Sequence, residues 1–206
     1  FPIEEIKEDI LKNDSAIFAN IEVIPRTFCY PNNNKKAEGR RIAEQNRVGT
    51  RLKQRSIGSK STPEDLEKWM NTLIETNDWG VGMTHGLTYG YDAFRNPQRL
   101  WDHWDQVKAK EDKIWVGTFR EVVSYIKERE NTQLNVLKNN NKLLITLKLE
   151  LDKEIFIEPL TMVIAGQKVK KVIVRQGKKK LPVQISAHKV TFDFNPYGGL
   201  IEVLIK

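Results

Sequence analysis

The stretch that decides the fold is Trp79-Gly80-Val81-Gly82-Met83-Thr84-His85-Gly86, a short apolar run that ends in a histidine. A run of this length that follows a helical pattern is typical of a buried strand in a parallel sheet. In sheets built from βα units, catalytic groups collect at the C-terminal ends of the strands. His85 therefore occupies a position where such a fold would place an acid, a base or a metal ligand, and Gly86 lets the backbone turn directly after it.

Further βα units flank this stretch on both sides. A second strand end, Thr27-Phe28-Cys29-Tyr30-Pro31, is predicted in the same layer as His85. The segment Ser61-Thr62-Pro63-Glu64-Asp65 predicts a helix start, because it combines a hydroxyl cap, a proline in the first turn and acidic residues after it. Lys113–Gly117 is predicted as a further strand. Alternating strands and helices indicate a parallel sheet or a partial (β/α) barrel, and about four strands are half of what a closed barrel needs.

After Asn131 the pattern changes to strands separated by turns. Segments rich in valine, isoleucine, leucine and threonine alternate with asparagine, glycine and proline clusters, which is typical of a small antiparallel β-sandwich. The predicted strands are Leu143–Leu151, Ile155–Ala165, Val169–Arg175, Leu181–Ser186, Lys189–Phe194 and Leu200–Ile205. The fold class is therefore α/β, with a partial barrel over residues 1–133 and a β-sandwich-like accessory domain over residues 134–206.

The positive charge of the chain is unevenly distributed. The 206 residues carry a net charge of +7, yet residues 1–133 hold 21 basic and 21 acidic residues, whereas residues 134–206 hold 13 basic and 6 acidic ones. The densest basic run, Lys178-Lys179-Lys180, is more typical of a solvated hairpin tip than of a nucleic-acid site. No apolar run is long enough to span a membrane. The single cysteine, Cys29, excludes an internal disulfide, and we expect it to be a small buried residue.

The order and spacing of the motifs in the first part of the chain resemble those of the polysaccharide deacetylases of the NodB-homology family, also called carbohydrate esterase family four. The motifs that carry the resemblance are Thr27-Phe28-Cys29-Tyr30-Pro31-Asn32-Asn33, Val48-Gly49-Thr50-Arg51, Gly82-Met83-Thr84-His85-Gly86 and Ile114-Trp115-Val116-Gly117-Thr118-Phe119-Arg120-Glu121. The match covers about residues 1–130, and the chain resembles members that carry a β-module after the barrel. The resemblance implies a hydrolase of carbohydrate metabolism that removes acetyl groups from a polysaccharide or an acylated sugar, and an extracytoplasmic or periplasmic location.

The resemblance also implies roles for four residues. His85 matches the general acid that protonates the leaving group. Tyr30 matches a residue that lines the acetyl pocket, where its backbone N–H can face the oxyanion. Arg51 matches an arginine that supports an acidic side chain of the site, and Trp115 matches a position in one of the family's later segments. Apart from the resemblance, the aromatic faces of Trp101, Trp104 and Trp115 suit stacking on sugar rings, and Trp115, at a predicted strand end, is the best candidate.

The family's metal-binding motifs are missing from this chain. These motifs, a Thr-Phe-Asp-Asp strand end and a His-x-x-x-His pair, lie in the family before the helix with which the chain begins. We therefore expect the divalent metal, usually zinc, to be present in the complete protein but not to be held by this chain alone. The 206 residues are expected to be inactive by themselves and to need a missing N-terminal segment of the barrel.

Simpler interpretations remain open for several residues. No two of the three histidines show metal-ligand spacing. His103 is expected to have a surface or packing role, and His188 is expected to be solvated. The arginine of the family's third motif is absent before Tyr30. The alternative function is accordingly a non-catalytic carbohydrate-binding or structural protein with a degenerate deacetylase barrel. A third possibility is that the basic β-module docks on acidic glycans or nucleic acid.

Overall fold

The computed structural model describes residues 2–33, 37–166, 171–186 and 188–205, and shows a mixed α/β protein with antiparallel sheets. The helices are α1 Ile3–Ile21, α2 Ala37–Ala43, α3 Pro63–Thr76, α4 Gln98–Lys108 and α5 Phe119–Asn131. The strands are β1 Thr27–Cys29, β2 Gly49–Arg51, β3 Arg55–Ser56, β4 Gly82–Met83, β5 Gln133–Asn139, β6 Lys142–Lys148, β7 Leu160–Ala165, β8 Val172–Gln176, β9 Lys179–Leu181, β10 Gln184–Ser186, β11 Lys189–Phe194 and β12 Ile201–Ile205.

The chain divides into two compact units. The first comprises Phe1–Phe28, Ala37–Gly49 and Arg120–Lys206, and the second comprises Cys29–Lys36 and Thr50–Phe119. This division by contacts differs from the predicted domains of residues 1–133 and 134–206, which stay a prediction.

The β-rich part of the first unit consists of two antiparallel sheets. One sheet has five strands in the order β5-β6-β12-β8-β9, and the other has three in the order β10-β11-β7. Alternate residues of both sheets bury their side chains in one apolar cluster, as the alternating sequence pattern predicts. The fully buried members of this cluster include Val174, Ile201 and Val203, while Tyr125 of α5 packs against its edge.

An ion pair connects helix α1 of the first unit to Arg47, which lies four residues beyond the end of helix α2. The guanidinium of Arg47 lies 2.5 Å from a carboxylate oxygen of Asp14 and also donates to the carbonyl oxygen of Ala43 at 3.3 Å. Its side chain is only 4% exposed. Because a buried guanidinium needs a counter-charge and hydrogen-bond acceptors, the Asp14 carboxylate on α1 fixes the segment that follows α2.

The second unit contains a βαβ element, in which helix α3 connects the parallel strands β3 and β4. The pairing places Arg55 opposite Gly82 and Ser56 opposite Met83. Helix α3 begins at the predicted residue, since the Thr62 side chain accepts from the backbone N–H of Asp65 at 3.1 Å and the Asp65 carboxylate accepts from the N–H of Thr62. This capping box satisfies two backbone donors of the first turn.

Three sequence expectations are wrong. Residues 114–118 adopt no regular secondary structure, and Val116 is 72% exposed, so the predicted strand over Lys113–Gly117 is absent. Cys29 is exposed rather than buried. Strand β4 is parallel, as predicted, but it is short and not deeply buried, because Gly82 is exposed and Met83 is half-buried.

Two further expectations concern features that the structure describes only in part. The strands β1–β4 form two separate two-stranded sheets, β1-β2 and β3-β4, so the deacetylase-type barrel is not confirmed. Residues 169 and 170 of the predicted strand Val169–Arg175 lie outside the described residues, and the observed strand β8 begins at Val172.

Among the described helices, none has the length and apolar character that crossing a membrane requires.

Candidate functional site

His85 lies two residues beyond the C-terminal end of β4, with an exposed side chain. The parallel ladder that fixes β4 includes hydrogen bonds from the Arg55 N–H to the Val81 carbonyl at 2.8 Å and from the Ile57 N–H to the Met83 carbonyl at 2.9 Å. The Thr84 hydroxyl then closes the turn by bonding both the N–H and the carbonyl of Gly86. The strand end thus holds the imidazole at the edge of the sheet, facing solvent.

The loop that follows His85 is held at both of its ends. The Phe94 N–H donates to the Gly86 carbonyl at 3.4 Å, and Phe94 is 1% exposed. Gly86 is required for this closure, since a Cβ atom there would lie 2.3 Å from the Tyr89 carbonyl oxygen. Gly90 has φ of +110°, which favours glycine. The loop therefore has a defined conformation, although it contains no regular secondary structure.

Asp92 ties this loop to the β3 side of the sheet. Its carboxylate accepts from the Ser59 hydroxyl at 2.7 Å, from the Ser59 N–H at 3.2 Å and from the Ser56 hydroxyl at 3.2 Å. The hydrogen bond from the Ser59 hydroxyl lowers the pKa of Asp92 most, and the bond from Ser56 and the charge of nearby His85 add to that effect. Hydrogen bonds to the ionised form keep this carboxylate charged at neutral pH. A negative charge consequently stands next to the imidazole.

Two tyrosines of the same loop are almost fully exposed. The ring of Tyr91 meets the ring of His85 edge to face, with centroids 5.1 Å apart and planes at 79°. Tyr91 and Tyr89 are 80% and 84% exposed, respectively. Large aromatic side chains that remain in solvent beside a titratable group are typical of a binding surface.

An open groove of about 540 Å³ adjoins these residues. It is lined by Asn33, Leu52, Lys53, Gln54 and Ser56. Ser56 is common to both places, because it lines the groove and its hydroxyl donates to Asp92 at 3.2 Å. The lining is rich in hydrogen-bonding side chains, which suits a ligand with many hydroxyl groups.

The other predicted site residues lie in the same unit, but in different surroundings. Tyr30 is 6% exposed and its hydroxyl donates to the Thr50 hydroxyl at 3.0 Å. Arg51 ends strand β2 and is half-buried. Trp115 is 56% exposed and lies in the irregular segment before α5 rather than at a strand end. Among the described interactions, His85 contacts Tyr91 and interacts with the charge of Asp92. A pocket that His85 shares with Tyr30, Arg51 or Trp115 stays a prediction.

The two remaining histidines have the surroundings that the sequence indicates. His103 lies on α4 and is 7% exposed, and burial lowers its pKa, with a side-chain hydrogen bond to Gln106 acting in the opposite direction. A buried neutral imidazole of this kind contributes to packing. His188 is exposed, in the turn between β10 and β11.

The described residues do not supply a metal centre. In residues 2–33, 37–166, 171–186 and 188–205, no three histidine, cysteine, aspartate or glutamate side chains converge closely enough to hold an ion. The side chains near His85 are one carboxylate, hydroxyls and phenols, which do not form the ligand set that zinc takes in catalytic sites. These residues therefore do not fit a resident divalent metal.

Comparisons with known proteins do not assign this chain to a family. No protein-family model matches it, and no curated protein matches it significantly.

Sequence reasoning missed four residues near His85: Tyr89, Tyr91, Asp92 and Ser56. Three of them occur in Gly86-Leu87-Thr88-Tyr89-Gly90-Tyr91-Asp92, where glycines separate exposed aromatic residues. This glycine and tyrosine spacing directly after a strand-end histidine is the signal that could have pointed to them.

Proposed function

We propose that this chain is the C-terminal part of a metal-dependent polysaccharide deacetylase barrel with a trailing β-module, and that His85 is its general acid. The observation that carries the proposal is the placement of an exposed imidazole beyond a parallel strand, beside a carboxylate that is kept ionised by Ser56 and Ser59. The substrate is an acetylated polysaccharide or another acylated sugar. The resemblance supports an extracytoplasmic or periplasmic location.

The role of His85 follows from the bond that has to break. Removing an acetyl group cleaves the bond between the carbonyl carbon and a sugar nitrogen or oxygen, and the electron pair of that bond moves to the leaving atom. An amine or alkoxide leaves slowly unless it receives a proton at that moment. The imidazolium of His85 donates this proton, and the Asp92 carboxylate next to it attracts the positive charge that the imidazolium carries.

The divalent metal of the proposed reaction is assigned to residues other than those described. A metal in this class of reaction polarises the acyl carbonyl and generates the attacking water at neutral pH. The side chains around His85 do not fit that task, so their proposed part is limited to donating a proton and binding the sugar.

The general-acid role can be tested in the metal-loaded protein that contains this chain. The substitution His85→Ala should lower kcat on an acetylated chito-oligosaccharide by about 10²–10⁴-fold. His188→Ala is the matched control, because that histidine is exposed and lies in the turn between β10 and β11.

A substrate with a good leaving group sharpens the test. The 4-nitrophenolate released from 4-nitrophenyl acetate needs no proton, so H85A should keep most of its activity on this ester while losing activity on the sugar. Equal losses on both substrates, or an unchanged rate on the sugar, would contradict the assignment. A metal-loaded wild-type protein that binds sugar but releases no acetate from any acetylated glycan would favour the non-catalytic binding protein.

A further inference from the structure

A cavity of about 320 Å³ opens beside the middle of helix α1, in the first unit. Its walls are α1, the segment that connects α1 to strand β1, and the last turn of helix α2 with the residues after it. At about 30 Å³ for each water molecule, this volume holds about ten of them, so a ligand of roughly ten non-hydrogen atoms fits. All the described lining residues belong to the first unit, whereas His85 belongs to the second.

The lining combines an aliphatic surface with an excess of positive charge. Its apolar side chains are Ile10, Leu11, Ile24, Pro25 and Ile42. Its charged side chains are three cations and one acid, namely Lys7, Arg26, Arg47 and Asp14. In ligand pockets of proteins, apolar side chains commonly provide the contact area while a few polar groups determine the orientation of the ligand. This lining therefore suits a ligand that has an apolar body and an anionic head group.

The charge of Asp14 is neutralised by Arg47, which leaves Lys7 and Arg26 to determine the sign of the cavity. A carboxylate oxygen of Asp14 lies 2.5 Å from the Arg47 guanidinium. The Arg26 guanidinium donates to the backbone carbonyl oxygen of Asn46 at 3.0 Å. Among the ion pairs between described residues, none includes Arg26 or Lys7. Two cations whose charge no described carboxylate neutralises therefore attract an anion.

The buried ion pair also has hydrogen-bonding capacity that the described residues do not use. The Arg47 side chain is 4% exposed, yet in the part of the chain that the structure describes its Nε atom has no acceptor and Oδ1 of Asp14 has no donor. A polar atom that is buried without a partner costs free energy. Because both side chains line the cavity, an oxygen of a ligand head group can accept a hydrogen bond from Nε. This observation points to an occupant independently of the charge.

We propose that this cavity is a binding site for a medium-chain aliphatic monocarboxylate, with octanoate as the reference ligand. Octanoate has about ten non-hydrogen atoms, which is the number that the volume accommodates. Its carboxylate binds the cations of Lys7 and Arg26, and its alkyl chain covers the aliphatic wall. A monoanion suits the site better than a dianionic phosphate, because the carboxylate of Asp14 repels a second negative charge. The site goes beyond the proposed deacetylation, in which none of its residues takes part.

Isothermal titration calorimetry on the protein that contains this chain tests the site without any substitution. The probes are octanoate, octanamide, acetate and octyl phosphate, each below its micelle-forming concentration. Octanoate should bind saturably at one site. Octanamide, which has the chain without the charge, and acetate, which has the charge without the chain, should each bind at least about tenfold more weakly. At pH 8 octyl phosphate, which then carries about two negative charges, should also bind more weakly than octanoate.

Substitutions of the two cations locate the head group. Arg26→Gln and Lys7→Gln should each weaken octanoate binding roughly tenfold, since each removes one charge-assisted contact with the carboxylate. The matched control is Lys12→Gln, which removes an exposed lysine of the same helix that pairs with Glu8 and does not line the cavity. It should leave octanoate binding unchanged. Melting temperatures without octanoate show whether each variant folds, and if R26Q does not fold, the exposed Lys7 decides the test.

Each of the following results would overturn the site. Octanamide or octyl phosphate that binds as tightly as octanoate would remove the monocarboxylate assignment, and acetate that does so would remove the role of the aliphatic wall. An equal loss of affinity in K12Q and K7Q would indicate attraction by the net charge of α1 rather than by a defined cavity. Unchanged octanoate binding in both R26Q and K7Q would show that octanoate does not bind at these cations.

Discussion

Glu128 on helix α5 is a fully buried carboxyl group whose ionisation should control the stability of the first unit. It is 0% exposed, and its two carboxyl oxygens accept the backbone N–H of Glu158 at 3.2 and 3.1 Å. Burial raises its pKa from 4.5 to about 7, and the charge of Glu158 adds to this, whereas the Glu158 N–H and the charge of Arg120 act in the opposite direction. The folded protein therefore binds this proton more tightly than the unfolded chain does.

The sign and size of the effect follow from that difference. A group whose pKa is higher in the folded state destabilises the protein as the pH rises from its unfolded value towards its folded value. For Glu128 this window runs from pH 4.5 to about 7. At about 1.4 kcal/mol for each pH unit, the free energy of unfolding should fall by about 3.5 kcal/mol across it.

The substitution Glu128→Gln removes the charge and keeps an oxygen that can accept from the Glu158 N–H. At pH 8 the variant should be more stable than the wild type by up to about 3.5 kcal/mol, while at pH 4 the two should agree to within about 0.5 kcal/mol. Urea unfolding followed by circular dichroism at several pH values measures this difference. Glu130→Gln, which changes an exposed carboxylate on the same helix, is the control and should show no such pH dependence.

The comparison between pH 4 and pH 8 is the decisive quantity. An E128Q variant whose stability relative to wild type is the same at both values would refute the reasoning, because a desolvated charge costs free energy only when it is ionised. A variant that is less stable than wild type at pH 8 would show that Glu128 is held by stronger partners than the Glu158 N–H.

Three further substitutions test the fold. Thr62→Ala should lower the free energy of unfolding by about 1 kcal/mol, because it breaks the capping box with Asp65; an unchanged urea midpoint would show that the cap does not contribute. Gly58→Ala should lower the melting temperature and weaken oligosaccharide binding together, because the new Cβ atom would lie 2.0 Å from the Asp92 carbonyl oxygen. An unchanged melting temperature in a calorimetric scan, together with normal binding, would contradict this. Ile201→Ala should cost about 2–5 kcal/mol in urea unfolding, because the side chain is fully buried between the two sheets, and a loss below 1 kcal/mol would mean that the core collapses around the cavity.

Local signals predicted those elements whose boundaries are set by adjacent residues. Helix α3 begins after Thr62 as expected, since the cap and the proline act within one turn. Strand β11 covers the predicted Lys189–Phe194, where alternation of apolar and polar residues matches the alternation of buried and exposed positions. These elements need no distant partner to define where they start.

Elements that depend on a distant partner were missed or misplaced. Strand β5 over Gln133–Asn139 was not predicted, because all of its residues are exposed and its position is fixed by pairing with β6. The apolar segment around Ile114–Val116 was predicted as a strand, yet in the described structure it is not one, and Val116 is largely exposed. Apolar composition alone does not make a strand when no neighbour supplies the ladder.

The surroundings of His85 illustrate the same physical limit at the candidate site. The position of the histidine after a strand is a local property, and the sequence indicated it. The environment of its ring depends on Asp92, whose hydrogen bonds reach Ser59 and Ser56 across 33 and 36 residues of chain, and on a loop backbone with φ of +49° at Asp92 itself. No periodicity records such contacts, so the hydrogen bonds of Asp92 and the ring contact of Tyr91 with His85 are visible only in the folded structure. Because these hydrogen bonds hold the loop against the sheet, a substitution at Ser56 or Ser59 should alter sugar binding even though it changes no aromatic side chain.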